Sequence, residues 1–358
     1  MAKLKVGIGM HYLKRLIYMG VSNGVTLSLV RALTMRAETA VVLMYHELAE
    51  DDTDIEAWTV VRKSDFLRQM EYVGRHYEIV SLETALNRTR REGRPGRPMA
   101  VVTFDDGDRG NASILLPTIQ ALNIPVTVYV ATGQIVEQTP YWFDRVVNAL
   151  QLERPATLDL SAFGLGRYAV NDTRGAENWR QIQRLLEGLK SLDTDKRAAA
   201  VDKILSDLGG LERRPACRIE PMNVGEIKTL ASSSLVTIGA HSHCHSILTQ
   251  LAPGEVEQSI KRSKDLLEKW TGRAVEHFAY PNGNYDAGTV DIVRQAGFRS
   301  AVTTEGRAWH LQDSPYAIPR VGVGRYDRPE NFRLNLVGGI RRLLPGRPHP
   351  GAALRRAA

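Results

Sequence analysis

Thr103-Phe104-Asp105-Asp106-Gly107 follows directly on the apolar, β-branched run Met99-Ala100-Val101-Val102. A run of that composition reads as a buried strand. The two acids therefore fall where a strand ends and a loop begins, and Gly107 permits a sharp turn after them. Neighbouring side chains at a strand end point to opposite sides, so Asp105 and Asp106 can take different tasks around one centre. A second stretch has the same build: His241-Ser242-His243-Cys244-His245 follows the apolar run Leu235 to Ala240. Alone, an Asp-Asp-Gly triplet is an ordinary turn, and a His-rich pentapeptide is a surface tract or adventitious metal binder. Paired carboxylates at one strand end and clustered imidazoles at another point together to a metal site with hydrolytic chemistry.

The pair of stretches resembles the motifs of the polysaccharide deacetylases with a NodB homology domain. Thr103 to Gly107 matches that family's Thr-Phe-Asp-Asp-Gly motif without a gap, and His241, Ser242 and His245 match its His-Ser/Thr-x-x-His motif. The resemblance spans roughly residues 40 to 325 and is closest to the exopolysaccharide N-deacetylase branch, whose members begin with an apolar strand ending in Tyr-His, here Tyr45-His46. It implies a distorted (β/α) barrel, a divalent metal, most often zinc, and hydrolysis of N-acetyl groups on amino sugars.

By this match Asp106, His241 and His245 are the metal ligands, and an Asp with two His leaves positions open for water and substrate. The same donor set also accepts cobalt or nickel. Asp105 is implied as the general base, and Ser242 as the residue that orients the loop or a ligand. Two features depart from the family pattern. The third motif, often Arg-Pro-Pro-Tyr-Gly, is here Ala279-Tyr280-Pro281-Asn282-Gly283. Its arginine is missing, and since Pro281 has no N–H the oxyanion donor falls on Asn282. The last strand reads Ile318-Pro319-Arg320-Val321 and lacks the expected histidine. Arg320 either replaces the lost arginine or forms a surface ion pair. His46, at the end of an early strand, is the histidine placed to act as general acid, because the C-terminal ends of barrel strands gather on one face. The alternative is that it hydrogen-bonds Glu47 or backbone. Cys244 falls in a variable position of the motif and reads as a free, half-buried thiol.

Elsewhere the chain alternates strand and helix, as a barrel or open parallel sheet requires. Ser64 is read as the cap of a helix carrying Phe66, Met70, Val73 and Tyr77. Residues 139–222 break the rhythm and read as a mostly helical insert, opened by Tyr141-Trp142-Phe143 and containing one strand near Tyr168 to Val170. Those aromatics are assigned to core packing, with stacking on sugar rings as the alternative. The organisation expected is a basic N-terminal helical segment at 1–39, a deacetylase barrel at 40–328 with its insert, and a basic, partly disordered tail at 329–358.

The 358 residues carry a net charge of +7. That excess suits an anionic glycan or a membrane face, and no aromatic-interleaved basic module supports nucleic acid. The two cysteines are too few for a disulfide framework. The partner expected is an N-acetylated glycan, with peripheral membrane contact through the basic N-terminus, in the cytoplasm or on the inner membrane face. The rival readings are a C–N hydrolase acting on another small amide such as a formamide, and a glycan-binding module without catalysis. An intact Asp105 favours an enzyme over a binder.

Overall fold

The computed structural model describes residues 39–88, 97–152, 156–170, 175–209 and 218–337. The basic segment at 1–38, the basic linker at 89–96, Cys217 and the end of the tail from 338 lie outside the described residues.

The first strand, β1 (Thr39–Tyr45), is buried along its whole length. It is followed by β2 (Glu47–Ala49) and β3 (Val60–Arg62), which pair with each other. Next come the helix Lys63–His76, then β4 (Glu78–Ile79) and β5 (Met99–Phe104). The strand β6 (Val126–Val130) precedes the insert, whose β7 (Ala156–Asp159) and β8 (Arg167–Val170) form an antiparallel pair. The barrel resumes with β9 (Val236–Ala240), β10 (His277–Ala279) and β11 (Ser300–Val302). Two short strands, β12 (Trp309–His310) and β13 (Val321–Gly322), finish it.

Strands β1, β5, β6, β9, β10 and β11 are parallel and hydrogen-bonded in that order. The ring then closes through the last segment. Val302 bridges Ile318, and β13 pairs in parallel with Leu43 and Met44 of β1. The expected distorted barrel is therefore observed, with the weakest seam between β9 and β10, where one residue pair, Ala240 and Phe278, joins the ladder. β12 was not foreseen; it runs antiparallel on the start of β1.

Period-two alternation separates two cores. Val41, Leu43 and Tyr45 of β1, and Ala100, Val102 and Phe104 of β5, face the helices in the main cluster. Ala40 and Val42, Met99 and Val101, and Tyr129 face the barrel interior with Trp309 and Ile318. Continuing that inward row of β5 past Thr103 brings Asp105 to the mouth of the barrel on the same side. Asp105 is thus placed by the pleat of the strand that precedes it.

The insert consists of the helices Trp142–Leu152, Ala176–Lys190 and Thr194–Asp207 with the β7–β8 hairpin. One strand of that hairpin, β7, carries no clear alternation and escapes the sequence reading. Ile182, Leu185, Leu189, Val201, Ile204 and Leu205 pack in a cluster that also takes in Ala49, Ile55, Ala57 and Val60 from the barrel side. Asp193 and Asp286, short polar residues directly before apolar-periodic runs, cap their helices, accepting from Lys196 N and Thr289 N at 2.9 and 2.8 Å. Ser64 is not a cap: it lies inside the helix Lys63–His76, and its N–H is taken by the distant Asp51 at 3.0 Å. The first part of the expected tail is likewise structured. Pro329–Leu336 is a helix that buries Phe332, Leu334 and Leu336, because its apolar residues outweigh the local basic character. Among the described residues no helix is long and apolar enough to cross a membrane.

His277, at the start of β10, is buried with its Nδ1 2.9 Å from Ser300 Oγ. Burial, only partly offset by Glu83, pushes its pKa down to about 4. Because the unfolded chain binds that proton near pH 6.5, His277 favours folding above that pH, and the contribution is lost as pH falls toward 4. Of the acid destabilisation between pH 7 and 4, about 3 kcal/mol is expected to disappear in His277→Asn. Urea unfolding of the two proteins across that range measures it, and parallel curves would show that His277 is not the sensor.

Candidate metal centre

Three strand ends meet at the barrel mouth. β1 delivers His46, β5 delivers Asp105 and Asp106, and β9 delivers His241, each in the residue or residues immediately following the strand. Asp106, His241 and His245 present one ligand atom each within 4.8 Å of one another. Asp106 Oδ1 is 3.4 Å from His241 Nε2 and 3.0 Å from His245 Nε2. The two Nε2 atoms are 3.2 Å apart.

The ring orientations fit a cation. His241 Nδ1 lies 2.8 Å from the Ala279 carbonyl, so that nitrogen carries the proton and Nε2 is left with its lone pair facing Asp106. Asp106 Oδ1 is buried and has no hydrogen-bond partner of its own. A buried carboxylate oxygen without a donor, ringed by two imidazole nitrogens, is a site that a divalent ion completes. Burial would raise the Asp106 carboxyl, but His245, His241 and His46 together hold it well below the usual carboxylate range.

The loops are shaped for this purpose. Asp106, Ser242, His245 and Asn282 all take positive φ, at 71°, 62°, 51° and 57°. Each such residue costs of order 1–3 kcal/mol, and such residues cluster at functional sites. Fixed contacts hold them there. Ala131 N and Gln134 Nε2 donate to the Asp106 carbonyl at 3.1 and 2.8 Å, and Ser242 Oγ accepts from His245 N at 3.0 Å. Gly133 N donates to the His243 carbonyl at 2.8 Å, an approach that a Cβ at Gly133 would obstruct.

Asp105 has a different partner. Both its oxygens accept from Arg320, each at 2.6 Å. Arg320 is wholly buried inside the barrel, where Nε donates to the Thr303 carbonyl at 3.0 Å and Nη1 to Thr103 Oγ1 at 3.1 Å. Its guanidinium lies 5.5 Å from the Tyr129 ring centre. The surface ion pair held open for Arg320 is therefore excluded. Burial alone would raise the Asp105 carboxyl; Arg320, then His241, bring it below its ordinary value.

His46 Nε2 lies 4.0 Å from Asp106 Oδ2, the oxygen other than the one nearest His241 and His245. Its ring meets the edge of Trp58 at 5.6 Å, and its Nδ1 is buried without a partner. Burial lowers its pKa, opposed by Asp106 and Asp105. Asn282 sits in the turn after β10, three residues beyond the carbonyl that holds His241. Cys244 is exposed rather than half-buried, with Sγ 3.2 Å from Ser259 Oγ.

Several neighbours escape the sequence reading. The rings of Tyr141 and Phe143 lie 5.0 and 5.2 Å from that of His245, and Tyr141 Oη donates to the His243 carbonyl at 2.9 Å. The aromatics that open the insert thus brace a candidate ligand. Glu47, Asp108 and Asp144 are buried beside one another; burial pushes all three carboxyls up, that of Glu47 to about 8, and the charges of Glu47 and Asp106 add to the rise of Asp108 and Asp144. Their proximity arises from tertiary folding, and no local spacing announces it.

The family description polysaccharide deacetylase matches residues 92–154 and 218–301, two segments that hold both metal-centre loops and omit most of the insert. These two segments carry a polysaccharide deacetylase domain. With it the chain is a hydrolase that removes N-acetyl groups. The deacetylase fold is shared with the Streptococcus pyogenes deacetylase PplD, solved in complex with acetate, at TM-score 0.54 and 16% identity over 83% of this chain and 98% of that one. IcaB from Ammonifex degensii aligns with TM-score 0.51 at 19% identity, over 84% and 97% of the two chains. A de-N-acetylase from Aggregatibacter actinomycetemcomitans gives 0.54 at 11% identity, over 83% and 100%. No curated protein sequence matches this deacetylase.

Removing the guanidinium from this deacetylase leaves Asp105 charged and alone in the barrel. Arg320→Met is expected to cost about 3–5 kcal/mol of stability at pH 7. The double variant Arg320→Met/Asp105→Leu, which buries no charge, should regain most of that loss. Urea midpoints of the three proteins test the pair, and a double variant no more stable than the single one would refute it.

Proposed function

We propose that this chain is a metal-dependent N-deacetylase acting on an N-acetylated polysaccharide or glycan precursor, with zinc as the ion. The observation that carries the reading is the division of labour between adjacent acids. Asp106 faces two imidazole nitrogens, while Asp105, one residue away, is gripped by a buried guanidinium. Asp106, His241 and His245 would hold the ion, which when bound polarises the acetamide carbonyl and acidifies water.

The remaining tasks fall to the chain's own groups. Asp105 stays ionised at neutral pH and accepts the proton of the attacking water through a lone pair left over by Arg320. Arg320 takes the place of the missing third-motif arginine and fixes the carboxylate plane. Ser242 keeps the His245 loop in its turn. The Asn282 N–H supplies the oxyanion donor that Pro281 lacks. His46, whose lowered pKa makes it a willing donor once protonated, passes a proton to the departing nitrogen, since an amine anion is a very poor leaving group. The products are acetate and a free amine on the sugar. The early apolar strand ending in Tyr45-His46, the pattern of the exopolysaccharide branch, supports an exopolysaccharide as the glycan.

Two sets of variants test the assignment. His241→Ala and His245→Ala are expected to lose the ion, read by elemental analysis, and Asp105→Asn to keep it while acetate release falls about 10²–10⁴-fold. Unchanged zinc in both histidine variants would overturn the cradle, and an active Asp105→Asn would remove the base. His46→Ala should retain zinc and lose most of its rate on an N-acetyl sugar. It should be far less impaired on an activated acetate ester, whose leaving group needs no proton. Equal losses on both substrates would take His46 out of the proton transfer.

A further inference from the structure

The insert carries a hollow of about 490 Å³ lined by Tyr168, Arg180, Gln183, Arg184 and Glu187. Four of these come from the helix Ala176–Lys190, at positions i, i+3, i+4 and i+7, so they share one face. Tyr168 comes from β8 and lies across that helix at Gly188, where any Cβ would collide with its hydroxyl. The chemistry is that of a carbohydrate contact. An aromatic ring offers an apolar face to a hexose. Planar guanidinium and amide groups donate pairs of hydrogen bonds, and a carboxylate accepts them. Gln183 and Arg184 have no hydrogen-bond partner among the described residues, so their donors are open to a ligand.

The helix that lines the hollow also reaches the turn beside the metal centre. The same helix face continues to Lys190, whose Nζ is 3.1 Å from Glu187 Oε1 and 3.1 Å from Asn282 Oδ1. Asn282 belongs to the turn next to the carbonyl that holds His241. From Arg180 to Lys190 the helix runs about 15 Å, longer than one hexose ring. We propose that this hollow holds sugar units of the glycan chain extending away from the one being deacetylated, so that the insert makes the enzyme prefer oligomers to short fragments. The inference rests on the deacetylase reading and adds to it the recognition of chain length.

The test compares a dimer and a pentamer of N-acetylglucosamine, in β-1,4 and β-1,6 linkage, on the zinc-loaded full chain. Arg180 and Arg184 are exposed, so Arg180→Ala/Arg184→Ala leaves the core alone; Tyr168→Ala removes the stacking face separately. Calorimetry should show the pentamer of at least one linkage bound at least tenfold tighter than the dimer by the wild type. Both variants should lose most of that advantage while dimer affinity and acetate release from the dimer stay within twofold. A wild type without preference for the pentamer, or variants that keep it, would overturn the proposal. Absence of acetate release from every oligomer would sink the deacetylase reading instead, and the binding comparison would still decide the hollow.

Discussion

The bidentate pair between Asp105 and Arg320 is the constraint on which the site depends. Two opposite charges stand inside a barrel, away from water, at the cost of their hydration. Such a pair is tolerable because its remaining polar valences are filled. Arg320 also reaches the Thr303 carbonyl and Thr103 Oγ1 and lies over the Tyr129 ring, and Thr103 Oγ1 in turn donates to the Leu43 carbonyl at 2.7 Å. The network therefore touches β1, β5, β6 and the segments after β11 and before β13. Its effect on stability is ambiguous, since hydrophobic replacements of buried pairs are often neutral or better. Its effect on geometry is not: a planar fork bound to a carboxylate through two bonds leaves that carboxylate one orientation.

The loops beside it show the same exchange of stability for placement. Four non-glycine residues in left-handed conformation surround the cradle, with donors from Ala131, Gly133 and Gln134 and the Ser242 hydroxyl, which accepts from His245 N, fixing the loops. Next to it lie three acids, Glu47, Asp108 and Asp144, whose carboxyls burial pushes up, with Glu47 adding to the rise of Asp108 and Asp144.

What the sequence displays are local patterns with a local cause. The runs before Asp105 and His241 are apolar and β-branched, so the strand ends that carry the two motifs could be read directly. The helical stripe of the insert and the caps at Asp193 and Asp286 were legible for the same reason. Arg320 could be nominated but not placed, because its partner is 215 positions away and the choice between surface and interior depends on barrel closure. Strands β7 and β12 are too short to show alternation against their neighbours. The bracing of His245 by Tyr141 and Phe143 was hidden because an aromatic cluster at a helix start has the same appearance whether it packs a core or a ligand. The helix Pro329–Leu336 was obscured by the arginines around it.

Barrel closure by the segment at 318–323 has a consequence for the order of assembly. That segment zips β11 to β1 and carries Arg320 with it. It follows the other barrel strands in sequence, so during synthesis the first strands, Asp106, His241, His245 and the insert all emerge before the arginine does. Contacts of such wide sequence separation form late and slowly. Until they form, the barrel has an open edge and Asp105 lacks the two-bond partner that fixes its carboxylate plane. The nascent protein thus acquires its closed ring and the Asp105–Arg320 pair in one event, and a chain cut short before residue 320 has neither.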